Sequence, residues 1–188
     1  FGVGYGRALS ENFSVGGHLK RAYQYLGDNV VPVSDSSNTV ENNVANAIAV
    51  DFGTIYITDW HGFTFGMSVR NFSEEVEYGY DSFQLPLTFR IGGSIDVLSF
   101  LPSLSEKQSL RMALEALHPR SYPERLNFGL EYSFMDLGNL RLGYLFNYDE
   151  RNLTYGAGIK LGPLKIDYAL TPFGVFDSVS RISVSIAR

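Results

Sequence analysis

Residues 153–170, "LTYGAGIKLGPLKIDYAL", set a pattern that much of the chain repeats. Leu153, Tyr155, Ala157, Ile159 and Leu161 alternate with Thr154, Gly156, Gly158 and Lys160. After Gly162-Pro163 the alternation resumes, with Leu164, Ile166, Tyr168 and Leu170 against Lys165, Asp167 and Ala169. A period of two predicts two amphipathic strands, and the Gly-Pro pair predicts a tight turn between them. Similar runs cover 2–9, 12–24, 45–57, 62–71, 86–98, 108–117, 125–134, 138–148, 152–161, 164–171 and 179–187, which predicts about eleven strands. Helical periodicity is nowhere convincing. Residues 103–118 admit a short helix, but "SLRMALEALHP" alternates well enough for a strand.

A loose echo runs through these segments: "FSVGGHL", "FTFGMSV", "LNFGLEY", "LRLGYLF" and "LTYGAGI" each place Gly between large apolar neighbours. Its spacing varies, so it reads as a hairpin rhythm and not as a solenoid repeat. The connections fall into two kinds. Residues 135–139, 148–152 and 162–163 are short, whereas 26–44 and 72–85 read as long loops. A further loop at 99–107 carries Phe100, Leu101 and Leu104 despite being a connection. Short turns on one side and longer loops on the other are the habit of an outer-membrane barrel, although soluble β-proteins also vary their loops.

The decisive question is which way the apolar face points. One side of the strands collects Phe63, Phe65, Met67 and Val69; Leu87, Phe89, Ile91 and Ile95; Leu126, Phe128, Leu130, Tyr132 and Phe134; and Leu140, Leu142, Tyr144 and Phe146. The other side carries Gly, Ser and charges of both signs. A soluble barrel or sandwich would turn the first face inward, onto a very large aromatic core. It would then show Gly at many water-facing strand positions, where Gly weakens a strand. A membrane barrel reverses this: bulky side chains meet lipid, and small residues leave interior room for opposed charges. Strand length suits it too, because ten residues rise about 33 Å, or about 25 Å after a tilt near 40°. The expectation is a single all-β domain over 1–188, an antiparallel transmembrane β-barrel, with a soluble β-sandwich binding module as a rival.

Composition sharpens this only in places. Aromatic residues make up 14% of the 188, with 12 Tyr and 14 Phe, and there are 19 Gly, a mixture that favours strands. No stretch approaches the roughly 18 continuous apolar residues of a membrane helix. The net charge of −5 argues against a nucleic-acid partner. With no Cys there is no disulfide, thiolate site or Cys nucleophile.

Several segments, in order, are similar to strands of the PorV/PorQ family, the FadL-like outer-membrane barrels of Bacteroidetes and related bacteria. They are "ENFSVGGHLKRAYQYL", "NAIAVDFGTIY", "GFTFGMSVRNF", "LPLTFRIGGSIDVL", "YPERLNFGLEYSF" and the closing "LRLGYLFNYDERNLTYGAGIKLGPLKIDYALTPFGVFDSVSRISVSI". The resemblance implies a barrel of about fourteen strands, of which this chain matches the later part. It implies a non-enzymatic protein that binds or shuttles cargo of a type IX secretion system. Its partners would be outer-membrane lipids and secretion-system proteins or cargo signal domains, without a cofactor. FadL-like transport of hydrophobic compounds is the alternative. The chain departs from the pattern at both ends: the family's "W-N-P-A-G" type motif and signal sequence are missing, and the last residue is Arg188 where an aromatic is usual. The expectation is a fragment.

Candidate chemistry is sparse. His18, His61 and His118 lie in different segments without ligand spacing, no G-x-S-x-G marks a nucleophile, and "GVGYG" has no following helix to make a phosphate loop. No catalytic or metal-binding residue is expected. Arg90, Asp96, Arg111, Glu115, Glu131, Arg141, Lys160, Lys165 and Asp167, with Arg181, are expected to line the interior, as a ladder of salt bridges or as a polar path. Asp51 breaks the alternation in "AVDFG" and is expected at a bulge or turn. Phe100, Leu101 and Leu104 are expected to contact lipid or a partner.

Overall fold

The structure is a computed structural model that describes residues 1–34, 37–78, 81–101 and 107–186. Eleven antiparallel strands form one sheet in which neighbours in sequence are neighbours in space. They are β1 (Gly2–Ala8), β2 (Phe13–Ser34), β3 (Ser37–Ile57), β4 (Thr64–Ser73), β7 (Thr88–Asp96), β8 (Gln108–Pro119), β9 (Arg125–Phe134), β10 (Gly138–Phe146), β11 (Leu153–Leu161), β12 (Leu164–Phe173) and β13 (Phe176–Ile186). Between β4 and β7 lies a separate small hairpin of β5 (Val76–Tyr78) and β6 (Asp81–Phe83). One short 3-10 helix, Val97–Phe100, follows β7. The all-β antiparallel expectation holds. The sheet itself is open, with β1 and β13 as its unpaired edges.

The opening pattern folds as its period requires. Leu161 pairs directly with Leu164, and Gly162 takes the turn at φ 61°, a conformation that costs a side chain but not glycine. The long connection at 26–44 is not a loop. Among the described residues, β2 and β3 stay paired from Phe13↔Tyr56 out to Ser34↔Ser37, so this hairpin runs well past the last β3–β4 pair, Ala49↔Ser73. Asn, Asp, Ser and Pro in that stretch look like loop chemistry, yet a partner strand within reach supplies the ladder that their propensity alone does not. The 72–85 connection likewise contains the β5–β6 hairpin.

Asp51 sits at a bulge. The β3–β4 register slips between Val50 and Phe52, leaving Arg70 and Asn71 opposite the single residue Asp51. Asn71 adopts φ 61°, and its N–H donates to Asp51 Oδ1 at 2.7 Å. The carboxylate thereby satisfies the backbone group that the bulge takes out of the ladder.

Two faces emerge from the registers. Glycines of the echo, joined by Gly6, Gly53 and Gly92, lie in cross-strand tracks on one face: Gly6, Gly16 and Gly53 in one row, Gly66 and Gly92 in another, Gly129 and Gly143 in a third. This face is concave, because residues from β1 through β11 together enclose a trough of about 1200 Å³. The opposite, convex face carries the large apolar side chains, and it is open: Leu140 is 62% exposed, Leu142 56% and Ile182 70%. Among the described residues only Ala45, Ala49, Val76 and Leu117 are buried apolar positions, and no large side chain is fully buried. Ala45, Ala49 and Val76 mark where β5 packs against β3.

The tracks differ in how closely backbones approach. A Cβ on Gly92 would lie 2.8 Å from the carbonyl oxygen of Leu114, whereas on Gly129 its nearest neighbour would be Ala113 Cβ at 4.0 Å. Gly92→Ala is therefore expected to cost about 1–3 kcal/mol. Gly129→Ala should be neutral or stabilise by up to about 1 kcal/mol. Urea unfolding of both variants in detergent checks this, and equal losses would contradict it.

Candidate functional site

The strongest polar arrangement on the concave face is a row of alternating charge. Register places Asp96 opposite Arg111, Arg111 opposite Glu131, and Glu131 opposite Arg141, on the four consecutive strands β7 to β10. Opposite charges facing across strands stabilise a sheet, and like charges there would not. Arg141 is the hub. Its Nε donates to Glu131 Oε2, and another guanidinium nitrogen donates to Asp167 Oδ1 at 2.8 Å. Asp167 lies two strands away, so the guanidinium must cross β11. It can do so because Gly156 and Gly158 stand in the way without side chains. A Cβ on Gly156 would come within 3.3 Å of Arg141 Cβ, and one on Gly158 within 2.5 Å of Asp167 Oδ1. Lys165 Nζ completes the group at 3.3 Å from Asp167 Oδ2. Arg111, Glu131, Arg141, Asp167 and Arg181 line a hollow of about 550 Å³.

The remaining expected charges are distributed around this hub. Arg90 pairs with Glu115 at 3.6 Å, and Asn127 donates to the same carboxylate at 3.1 Å. Asp96 does not bond to Arg111. Its Oδ1 instead accepts from the N–H groups of Leu98 and Leu110, at 3.0 and 3.1 Å, and so caps the short helix. Lys160 faces Lys165 across the β11–β12 pair and takes part in no ion pair among the described residues. The sequence offered no sign of a further cluster at the bulge. Lys20 Nζ lies 2.7 Å from both oxygens of Asp51, and His18 Nδ1 lies 3.6 Å from Oδ2. These residues share a face only because β2 and β3 pair as His18↔Asp51.

Chemically, these groups are suited to holding structure. Each carboxylate at the hub is committed to a cation. One Ser–His contact exists, His61 Nδ1 to Ser99 Oγ at 3.0 Å, but the Ser99 hydroxyl also donates to the backbone oxygen of Asp96 at 2.6 Å. That proton is spent on the backbone, and among the described residues no carboxylate bonds to the imidazole. Among the described residues no group of three or more His, Asp or Glu is placed to hold a metal ion.

The apolar loop belongs to an aromatic cluster at the short-turn end of the sheet. Phe100 stacks on His61 with centroids 3.8 Å apart and meets Trp60 edge-on at 5.8 Å; Trp60 in turn meets Phe63. Phe100 and Leu101 are about half exposed, and Leu104 lies outside the described residues. His61 and Gly62 both take positive φ, 50° and 66°, in a turn closed by Phe63 N to Trp60 O at 2.9 Å. A left-handed His is costly by roughly 1–2 kcal/mol. The Phe100 stack and the Ser99 bond hold it there.

Arg141→Ala would leave Glu131 and Asp167 without their shared cation. These side chains are partly exposed, which puts the expected loss at about 1–2 kcal/mol, between the values for open and buried pairs. Lys165→Ala should cost less than about 1 kcal/mol. Paired unfolding curves decide, and the reverse order would remove Arg141 from its central place. No family model matches the chain, and no curated protein matches it.

Proposed function

We propose that the chain forms the later strands of a lipid-facing barrel in a bacterial outer membrane, of the PorV/PorQ type, which holds or shuttles cargo of a type IX secretion system. The observation that carries the membrane part is the layout of the convex face. Aromatic residues lie toward both strand ends, Tyr56, Phe65, Tyr132 and Phe134 at one and Tyr23, Phe72, Phe89, Tyr144 and Phe146 at the other. Between them lie Met67, Ile91, Met112, Leu130 and Leu142, together with the mid-strand rings of Phe52, Tyr155 and Tyr168. A continuous band of large apolar side chains with rings at both margins suits a bilayer and its two interfaces. A soluble sandwich needs a dry centre, and among the described residues this sheet buries no large side chain fully.

Strand direction supports a larger barrel. β1 and β13 both run toward the short-turn end, so joining them directly would make a parallel seam. All-antiparallel closure takes an odd number of further strands, as a barrel of about fourteen would provide. Lipid-exposed backbone must be paired, so closure follows from the membrane reading itself. The cargo role rests on the resemblance of the strands. The long β2–β3 hairpin and the end that bears it are where recognition belongs, since the barrel wall is occupied with lipid outside and ion pairs inside.

FadL-like transport of hydrophobic compounds is the second reading. One observation favours it: Ile55 and Leu145 join the glycines in lining the 1200 Å³ trough, beside Asp51, Arg90 and Glu115. No catalytic role is proposed for any residue.

Trp60 is the chain's single tryptophan, so its emission reports on the aromatic cluster alone. In lipid vesicles it is expected to shift to the blue and to be quenched more by headgroup-level quenchers than by mid-chain ones. Monodisperse behaviour in plain buffer would end the membrane reading. The cargo role predicts that the full-length protein co-purifies with a secreted protein's C-terminal signal domain. If no signal domain is retained and a deletion strain loses uptake of labelled fatty acid, the transport reading replaces it.

A further inference from the structure

At the long-hairpin end of the sheet, three separate turns bring together an alternating stack of rings and cations. The Arg125 guanidinium carbon lies 5.1 Å from the centre of the Tyr122 ring and 4.5 Å from that of Tyr148. The Arg151 carbon lies 4.9 Å from the Tyr148 centre and 5.6 Å from that of Phe173. Tyr148 is thus shared by two cations. The turns are also tied to one another, because Asn147, at φ 61°, donates through Nδ2 to the backbone oxygen of Glu124 at 2.9 Å.

Cations packed this closely call for compensating charge, and none of the acids in these turns pairs with them among the described residues. Glu124 pairs instead with His118 at 3.1 Å, and Asp149 and Glu150 form no ion pair with either guanidinium. Neither Arg125 nor Arg151 is in an ion pair among the described residues. Arg125 Nε is shut off from solvent without a hydrogen-bond partner. Ring faces stabilise the cations but leave the N–H edges of both guanidiniums unspent. A guanidinium edge is a planar fork that matches an oxyanion in two parallel hydrogen bonds. Two such forks beside one ring add two positive charges. A phosphate monoester or diphosphate, with close to two negative charges on one group, matches them better than a carboxylate with one.

We propose that the Tyr122–Arg125–Tyr148–Arg151–Phe173 stack is a binding site for phosphate groups, built at the end of the sheet from which the long hairpin projects. It does not depend on the cargo reading, and either a soluble phosphorylated compound or a phosphorylated lipid headgroup carries the required chemistry.

The test uses the full-length protein in detergent micelles, titrated by calorimetry with inorganic pyrophosphate and, separately, with succinate. Saturable pyrophosphate binding is expected, at least tenfold tighter than succinate. Arg125→Ala and Arg151→Ala should each weaken it tenfold or more, and Arg125→Lys should recover only part, because lysine keeps the charge but loses the fork. Lys160→Ala, a basic residue outside the stack, should leave it unchanged. Variants that misfold are recognised by loss of heat-modifiable gel mobility, and for these the lysine forms replace the alanine forms. Transfer to nanodiscs with phosphatidic acid separates the two sources: competition with pyrophosphate there assigns the site to headgroups, and its absence assigns it to soluble phosphates. No saturable binding, equal affinity for succinate, or equal weakening by Lys160→Ala would each overturn the proposal. Stack variants that lower thermal stability while leaving pyrophosphate affinity intact would do the same, and would reduce the stack to a rivet between turns.

Discussion

Register is the constraint on which the rest depends. In a sheet whose side chains alternate with a period of two, a slip of one residue moves every side chain to the other face. Here that would put Asp96, Arg111, Glu131 and Arg141 among Leu130, Leu142 and Tyr144. The charge row penalises such a slip, since each sign is opposed by its complement only in the observed pairing. The glycine tracks act in the same direction. Arg141 reaches Asp167 only where Gly156 and Gly158 leave the path over β11 clear, and a shifted register would set Thr or a large apolar residue there.

The same logic shows what was legible in the sequence. The eleven strands of the main sheet, and the faces their residues take, follow from alternation with a period of two, whereas 72–85 reads as a loop and yet contains the small β5–β6 hairpin. Asp51 was legible as an irregularity for the same reason: a charge where the pattern asks for an apolar or small residue needs a backbone explanation, and the Asn71 bulge is that explanation. The extent of the β2–β3 hairpin was not legible. Residues such as Asp28, Asn29 and Asn42 have weak strand propensity, and their pairing is decided by the partner strand across the hairpin. Asp96 faces Arg111 in the register, but its role as a helix cap depends on where Leu98 and Leu110 fall in space. The Arg125 and Arg151 stack was invisible for a stronger reason. Its members come from three turns that are distant in sequence and meet only through the meander of β8 to β13.

An open edge is costly wherever water cannot reach it. β1 and β13 each present a row of unpaired backbone groups, and β1 is too rich in glycine to shield them with side chains. Soluble proteins protect such edges with charge, proline or a covering loop. Arg7 is the single charge on β1, and β13 carries Asp177 and Arg181 among Ser, Val and Ile. Edges so poorly guarded are consistent with strands meant to be paired on both sides.

The two ends of the sheet are built differently, and that difference divides their work. At the short-turn end, a strained His61 is held by Phe100 and Ser99, and Trp60, Phe100 and Leu101 show apolar surface outward. Strain held by stacking gives a stiff foot, suited to resting in an interface where rings are half wet. At the other end the cations lie against aromatic rings, Glu124 is paired with His118, and one hairpin projects beyond its neighbours. Recognition needs donors that are held in place yet unspent, and among the described turns the long-hairpin end is where such donors are found. On the proposed membrane reading, a wall with ion pairs inside and hydrocarbon outside has little left with which to discriminate ligands. Selectivity is then a property of one rim, and the register of the sheet would matter to function because it sets the turns of that end side by side.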